Sequence, residues 1–217
     1  MIDDEAIAAR LTARHFEAAD TVFMDGSTPW EVDEAMVGFG FAMGPYETQD
    51  HRGLDAVETL MRMHGPRDEG RRVIPLRARM LELGKLGRKT GAGWYRYPGG
   101  GGKVEDPIVA DLALEECHME GRTRTDYPPQ AIVERLRLAL IGEALALLDS
   151  EPGVTPATID RISVRSLGFP AARGGVLRDA ATFDPSELAA RFEALAAEDG
   201  VAWRVPRHLV DGDAISS

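Results

Sequence analysis

The chain has 217 residues, 44% of them hydrophobic and 6% aromatic, with one cysteine and a formal net charge of −11. That length makes one sizeable globular domain or two small ones, able to bury roughly 70% of the unfolded surface without staples. A single cysteine excludes a disulfide framework and a cysteine metal cluster and fits a reducing cytosol, and the acidic excess argues against general nucleic-acid binding.

The opening Met1-Ile2-Asp3-Asp4-Glu5-Ala6 is acidic where an export signal is basic, so a cytoplasmic protein is expected. A first helix follows over about 4–24, with Ile7, Leu11, Ala18 and Val22 as its apolar stripe. Thr28-Pro29-Trp30-Glu31 reads as a helix start with cap, first-turn proline and capping-box acid. That helix ends at Phe39-Gly40-Phe41 and turns through Ala42-Met43-Gly44-Pro45, where Met43 and Pro45 suit a core or an acyl chain equally. Gly38 to Gly44 has one residue too many for a dinucleotide fingerprint and follows a helix, not a strand. Glu47, His51 and Asp55 share one face if 46–56 is a single helix, which would suit a metal or an acid–base pair, though solvated charges are the commoner meaning.

Residues 62–96 hold ten Lys/Arg and three acids, a +7 island in a chain whose remainder is −18. Such an island serves an anionic ligand or an intramolecular acidic face. Val73 to Leu83 reads as a helix within it. The glycine-dense run Gly84 to Thr90 lacks Walker spacing and a preceding strand, so it reads as a turn that lets Trp94 and Tyr95 pack. Gly99 to Gly102 read as a flexible link without regular structure, and a boundary falls near residue 104.

Asp106-Pro107 opens a helix to about Glu120; Cys117 and His118 within it point about 100° apart and make a poor catalytic pair. Ile132 to Asp149 carries the strongest stripe, 132, 133, 136, 140, 144, 147 and 148. Its apolar stretch Leu138 to Leu148 is too short to span a membrane and contains Glu143. Thr155-Pro156 and Asp184-Pro185-Ser186-Glu187 open two more helices. No stretch alternates with a two-residue period, so the class is all-α.

The halves repeat. Thr28-Pro29 to Asp33, Phe39-Gly40-Phe41 and Gly44 are matched by Thr155-Pro156 to Asp160, Leu167-Gly168-Phe169 and Gly174-Gly175. Two such units are expected to pack face to face as a pseudo-dimer.

Asp33, the run Phe39 to Pro45, Asp50 and Gly53-Leu54-Asp55 together resemble the helical C-terminal domain of the 3-hydroxyacyl-CoA dehydrogenase family. Leu86-Gly87-Arg88-Lys89-Thr90-Gly91-Ala92-Gly93-Trp94-Tyr95-Arg96-Tyr97 is similar to that domain's closing motif. Leu167-Gly168-Phe169-Pro170 and Arg173 to Leu177 resemble the second such domain of multifunctional fatty-acid oxidation enzymes. The resemblance implies two tandem all-α domains, 1–104 and 105–217, of the 6-phosphogluconate dehydrogenase C-terminal type. In the family an N-terminal Rossmann domain binds NAD and carries the catalytic His-Glu pair, while the helical part closes the acyl-CoA cleft and supplies a dimer or pseudo-dimer contact; this chain is then either a split-off subunit or a fragment of a longer enzyme.

Carried over, Phe41, Met43, Gly44 and Pro45 would line the acyl end, and Arg88 and Lys89 would face the CoA phosphates or an acidic partner. No catalytic, NAD or metal residue is implied in this chain. The partners implied are an acyl-CoA, a Rossmann-domain chain (NAD serving the complete enzyme) and a second copy of this chain, with neither nucleic acid nor membrane. Ala9-Arg10 stands where the family has Asn-Arg, Gly142 where the second copy has Asn, and His51-Arg52 where apolar residues are usual. The rival expectation is a non-catalytic acyl-CoA-binding or assembly module; a third is an independent enzyme built on Glu47, His51 and Asp55.

Overall fold

A computed structural model describes residues 2–65, 74–200 and 202–206. Arg67, Arg71 and Arg72 of the basic island, together with Val73 and His208, lie outside them.

The helix starts follow from local chemistry. α1 (Asp4–Asp25) is capped by Asp3, whose Oδ1 accepts from Ala6 N at 2.8 Å. α2 (Pro29–Phe39) carries a full capping box: Thr28 Oγ1 accepts from Glu31 N at 3.2 Å and Glu31 Oε2 from Thr28 N at 2.7 Å. α3 (Pro45–Arg52) and α4 (Leu54–His64) follow, then α5 (Leu76–Glu82). The second half contains α6 (Pro107–Met119), α7 (Pro129–Ser150), α8 (Pro156–Ile162), α9 (Val176–Ala180) and α10 (Pro185–Glu198). A π-helical turn, Ser163–Leu167, continues α8. α7 begins before its apolar stripe because Pro129 occupies the first turn, where a missing N–H costs nothing.

The two 22-residue helices α1 and α7 form the centre and pack most extensively of all element pairs. Arg10 near the start of α1 pairs with Glu143 (2.7 Å) and reaches Ser150 (3.5 Å) in the later turns of α7, so the two run antiparallel. Ala18, Ala19, Ala139 and Ala144 are buried and let the helices approach. The predicted stripes are buried at Ile7, Leu11, Ala18, Val22 and at Ile132, Leu136, Leu140, Ala144, Leu147, with Val133 and Leu148 half-buried against the same core, and one continuous apolar cluster unites residues of both halves.

The repeat has a structural signature. Asp33 in α2 accepts from Tyr46 N (2.8 Å) and Glu47 N (2.9 Å), the first N–H groups of α3. Asp160 in α8 does the same for α9, accepting from Leu177 N (2.7 Å) and Arg178 N (3.2 Å). Each helix start is preceded by a glycine, Gly44 or Gly175, at which a Cβ would overlap the carboxylate-bearing side chain of that aspartate. Long-range capping of this kind satisfies donors that the short helices cannot.

Two expectations are corrected. The glycine run is not structureless: Pro98–Gly100 forms a 3₁₀ turn and β1 (Tyr95–Arg96) pairs antiparallel with β2 (Val104–Glu105). Gly99 and Gly100 adopt positive φ, which lets the chain reverse within a hairpin too short to leave an alternating pattern. Glu47, His51 and Asp55 do not share one helix, because Gly53 at φ 90° breaks the chain between α3 and α4.

Candidate functional site

Three buried aspartates organise the region around α3. Asp50 accepts from Trp94 N (2.9 Å), Tyr95 N (3.0 Å) and the Tyr97 hydroxyl (3.0 Å), fastening the closing segment onto the helix. Gly87 and Gly93 pass so close to Asp50 that a Cβ on either would overlap it. The glycine spacing therefore serves close approach to Asp50, Gly87 to its backbone and Gly93 to its carboxylate, and it lets Trp94 and Tyr95 become fully buried. Asp33 also accepts from the Tyr95 hydroxyl (2.8 Å) and lies 3.5 Å from Lys103 Nζ. Asp20 pairs with Arg77, beside the Tyr46 hydroxyl (3.3 Å).

Burial pushes all three carboxyls up to about 6. Arg77 opposes this for Asp20, Lys103 for Asp33, and the Tyr95 and Trp94 N–H groups for Asp50. Burial, with Asp33 beside it, pushes the Tyr95 hydroxyl far above the usual tyrosine value, and burial with Asp50 does the same for Tyr97. These phenols stay protonated and donate.

The sequence-predicted residues fall in three settings. Phe41 is buried, stacked on His15 at 5.1 Å and edge-on to Phe169 at 5.8 Å, so it joins α1 to the second half. Gly44 and Pro45 are buried and start α3; Met43, 38% exposed, meets solvent together with Ala42. Arg88 and Lys89 lie at the other end of α3: Arg88 Nη1 is 3.5 Å from His51 Nε2 and its guanidinium sits 5.4 Å from the Tyr97 ring, while Lys89 pairs with Asp55 at 2.5 Å. With eight residues in α3, the two groups stand roughly 10 Å apart.

Four of the seven described Lys/Arg of the basic island pair with carboxylates of the same chain. Arg77 pairs with Asp20, Arg79 with Glu115 and Glu116 of α6, Lys85 with Asp106, and Lys89 with Asp55. Arg88 has no carboxylate partner among the described residues. The suggested acid–base trio is dispersed, with Glu47 on Lys103 (2.8 Å) and Asp55 on Lys89, and no described group of three His, Cys, Asp or Glu could hold a metal ion.

His15, in α1, was not singled out by its sequence context. It is 3% exposed, its Nδ1 has no hydrogen-bond partner, and burial holds its imidazole down at about 4, so it is neutral. The described residues do not fit NAD either. Their strands are two residues long with no βαβ unit, and in the run Gly38 to Gly44 the glycines Gly40 and Gly44 abut Pro170 and the Asp33 carboxylate. No described helix is long and apolar enough to cross a membrane.

Residues 7–97 match the family model "3-hydroxyacyl-CoA dehydrogenase, C-terminal domain". This span contains Asp33, Asp50 and the whole closing segment. Residues 7–97 are thus similar to a C-terminal domain of the 3-hydroxyacyl-CoA dehydrogenase family. Curated relatives include the peroxisomal bifunctional enzyme of Danio rerio, 31% identical over 78% of this chain and 26% of that protein. The human peroxisomal bifunctional enzyme is 31% identical over 81% of this chain and 26% of its own length. The fatty acid oxidation complex subunit alpha of Acinetobacter baylyi is 29% identical over 78% and 24%. The chain thus spans about a quarter of the length of these relatives.

Two solved structures share the fold at 18% identity. The dehydrogenase part of multifunctional enzyme 1 from C. elegans aligns with TM-score 0.67 over 97% of this chain and 48% of that one. A 3-hydroxybutyryl-CoA dehydrogenase from Escherichia coli aligns with TM-score 0.70 over 94% and 58%. The all-α fold of a 3-hydroxyacyl-CoA dehydrogenase C-terminal domain is what the chain adopts.

Proposed function

We propose that this chain is the substrate-side part of a 3-hydroxyacyl-CoA dehydrogenase, taking part in NAD-linked oxidation of 3-hydroxyacyl-CoA in fatty-acid β-oxidation. The match over residues 7–97 carries the reading, and the Asp50-anchored closing segment supports it as an intact domain. On this reading residues 1–104 and 105–217 are two domain copies mated through α1 and α7, and a Rossmann domain, on a separate chain or elsewhere in a longer enzyme of which these residues are a part, supplies the NAD site and catalytic pair. Met43 is an exposed residue offered to the acyl chain, with Phe41, Gly44 and Pro45 setting the turn beneath it. Arg88, free of a carboxylate partner, is better placed than Lys89 to meet a CoA phosphate. The buried, unbridged Cys117 fits a reducing compartment, cytoplasm and peroxisome alike.

NADH oxidation with acetoacetyl-CoA tests this, using the chain alone and then mixed with a family Rossmann domain. Activity only on mixing supports the substrate-side role, and activity alone would overturn it. Acyl-CoA binding without activity in either case favours the second reading, a non-catalytic acyl-CoA-binding or assembly module. Ala9 favours that second reading, standing where the family pattern has a polar asparagine.

A further inference from the structure

A cleft of about 620 Å³ opens between α2 and α7, one helical turn before the Phe41 turn and lined by none of the residues assigned above to acyl-CoA. Its floor is apolar, with Phe39, Val133 and Phe183, and Gly38 faces it with no atom within 4 Å of where a Cβ would stand. Two guanidiniums share one carboxylate at one end. Arg137 Nε meets Asp179 Oδ2 at 2.5 Å and Arg173 Nη1 meets Asp179 Oδ1 at 3.1 Å. Asp179 is 1% exposed and cannot neutralise both, so that end keeps one positive charge. The same guanidiniums lie over the aromatic walls, Arg173 at 4.0 Å from Phe39 and Arg137 at 4.1 Å from Phe183.

Charges elsewhere on the lining are engaged or at the mouth. Glu134 is held by Arg191 at 2.6 Å and Glu31 by its capping box. Glu34, on the exposed side of α2, has no ion-pair partner among the described residues.

We infer that this cleft binds a monoanionic amphiphile, its carboxylate on Arg137 and Arg173 and its hydrocarbon against Phe39, Val133 and Phe183. A cleft of this size with an apolar floor and one fixed cationic end matches that chemistry: hydrocarbon burial gives the affinity and the guanidinium pair gives the orientation. The site is independent of the acyl-CoA reading and stands or falls separately from it.

The test is fluorescence titration of the purified 217-residue chain with 8-anilino-1-naphthalenesulfonate, followed by competition with dodecanoate and, separately, dodecanol. One saturable site displaced by dodecanoate is expected, with dodecanol at least about tenfold weaker. Gly38→Leu fills the cleft while improving helix propensity, so a folded protein that no longer binds is expected. Arg173→Gln leaves Asp179 paired with Arg137 and should weaken dodecanoate about tenfold, whereas Glu34→Gln should tighten it. Absence of a saturable site in the wild type, unchanged binding in folded Gly38→Leu, or equal competition by dodecanol would each overturn the inference.

Discussion

His15→Leu is expected to make the fold less sensitive to acid. The imidazole is sealed against Phe41 with an unpartnered Nδ1, and burial holds its folded-state value at about 4 against an ordinary value of 6.5. A histidine depressed in the fold contributes stability that is fully present above about pH 6.5 and is lost as pH falls towards 4, because the unfolded chain takes up the proton first. Between pH 7 and pH 5 this amounts to about 2 kcal/mol, reaching about 3 kcal/mol near pH 4. Asp20, Asp33 and Asp50 act in the other direction. Their folded values are raised to about 6, so their contribution is fully present below about 3.8 and lost as pH rises through 6. They are common to both proteins and cancel in the comparison, as does any fixed cost of losing the ring stack. Urea denaturation of the two proteins at pH 7, 6 and 5 gives the difference directly. A gap that does not change by at least about 1 kcal/mol across that range would refute a buried neutral His15.

Other outcomes follow from the twin caps and the glycines. Asp33→Ala should cost about 3 kcal/mol or more, because Tyr46 N, Glu47 N and the Tyr95 hydroxyl lose their acceptor. Asp160→Ala, which deprives two N–H groups on a half-exposed helix start, should cost about 1–2 kcal/mol by the same urea assay. Gly93→Ala must displace the Asp50 carboxylate, so thermal melting should show a marked loss together with red-shifted Trp94 emission. Gly142→Ala should gain about 1 kcal/mol, since its Cβ would meet Phe192 at an ordinary 3.4 Å within α7. Arg77→Met leaves Asp20 buried without its cation and should destabilise by about 3–5 kcal/mol at pH 7, less at pH 5, where Asp20 is protonated.

Much of the helical frame is legible because its signals are local. Thr28, Thr155, Asp106 and Asp184 each cap the helix that the cap-and-proline pattern predicts. The repeat is legible for the same reason, since its marks are capped helices and glycine turns at matching intervals. What is hidden depends on residues far apart in sequence. Nothing near Asp20 announces Arg77, 57 residues on, and Gly53 breaks a helical period where the chain turns so that Leu54 N can meet Leu86 O. His15 carries no sequence signal beyond its place on the buried side of α1. The cleft is built from Phe39, Arg137, Arg173 and Phe183, which only the crossing of α2 over α7 brings together.

The antiparallel union of α1 and α7 has a consequence in concentration. Two separate subunits mated through such a surface would come apart on dilution, whereas here the mating step is first order and the effective concentration is set by the intervening chain. If the halves are two copies, as proposed above, they also need not remain identical, because no symmetry operator ties them. Asp33 has come to serve backbone, phenol and lysine together, while Asp160 keeps to helix capping alone. On that proposal the first half is free to carry the closing segment, and the second to act as its permanently tethered counterpart.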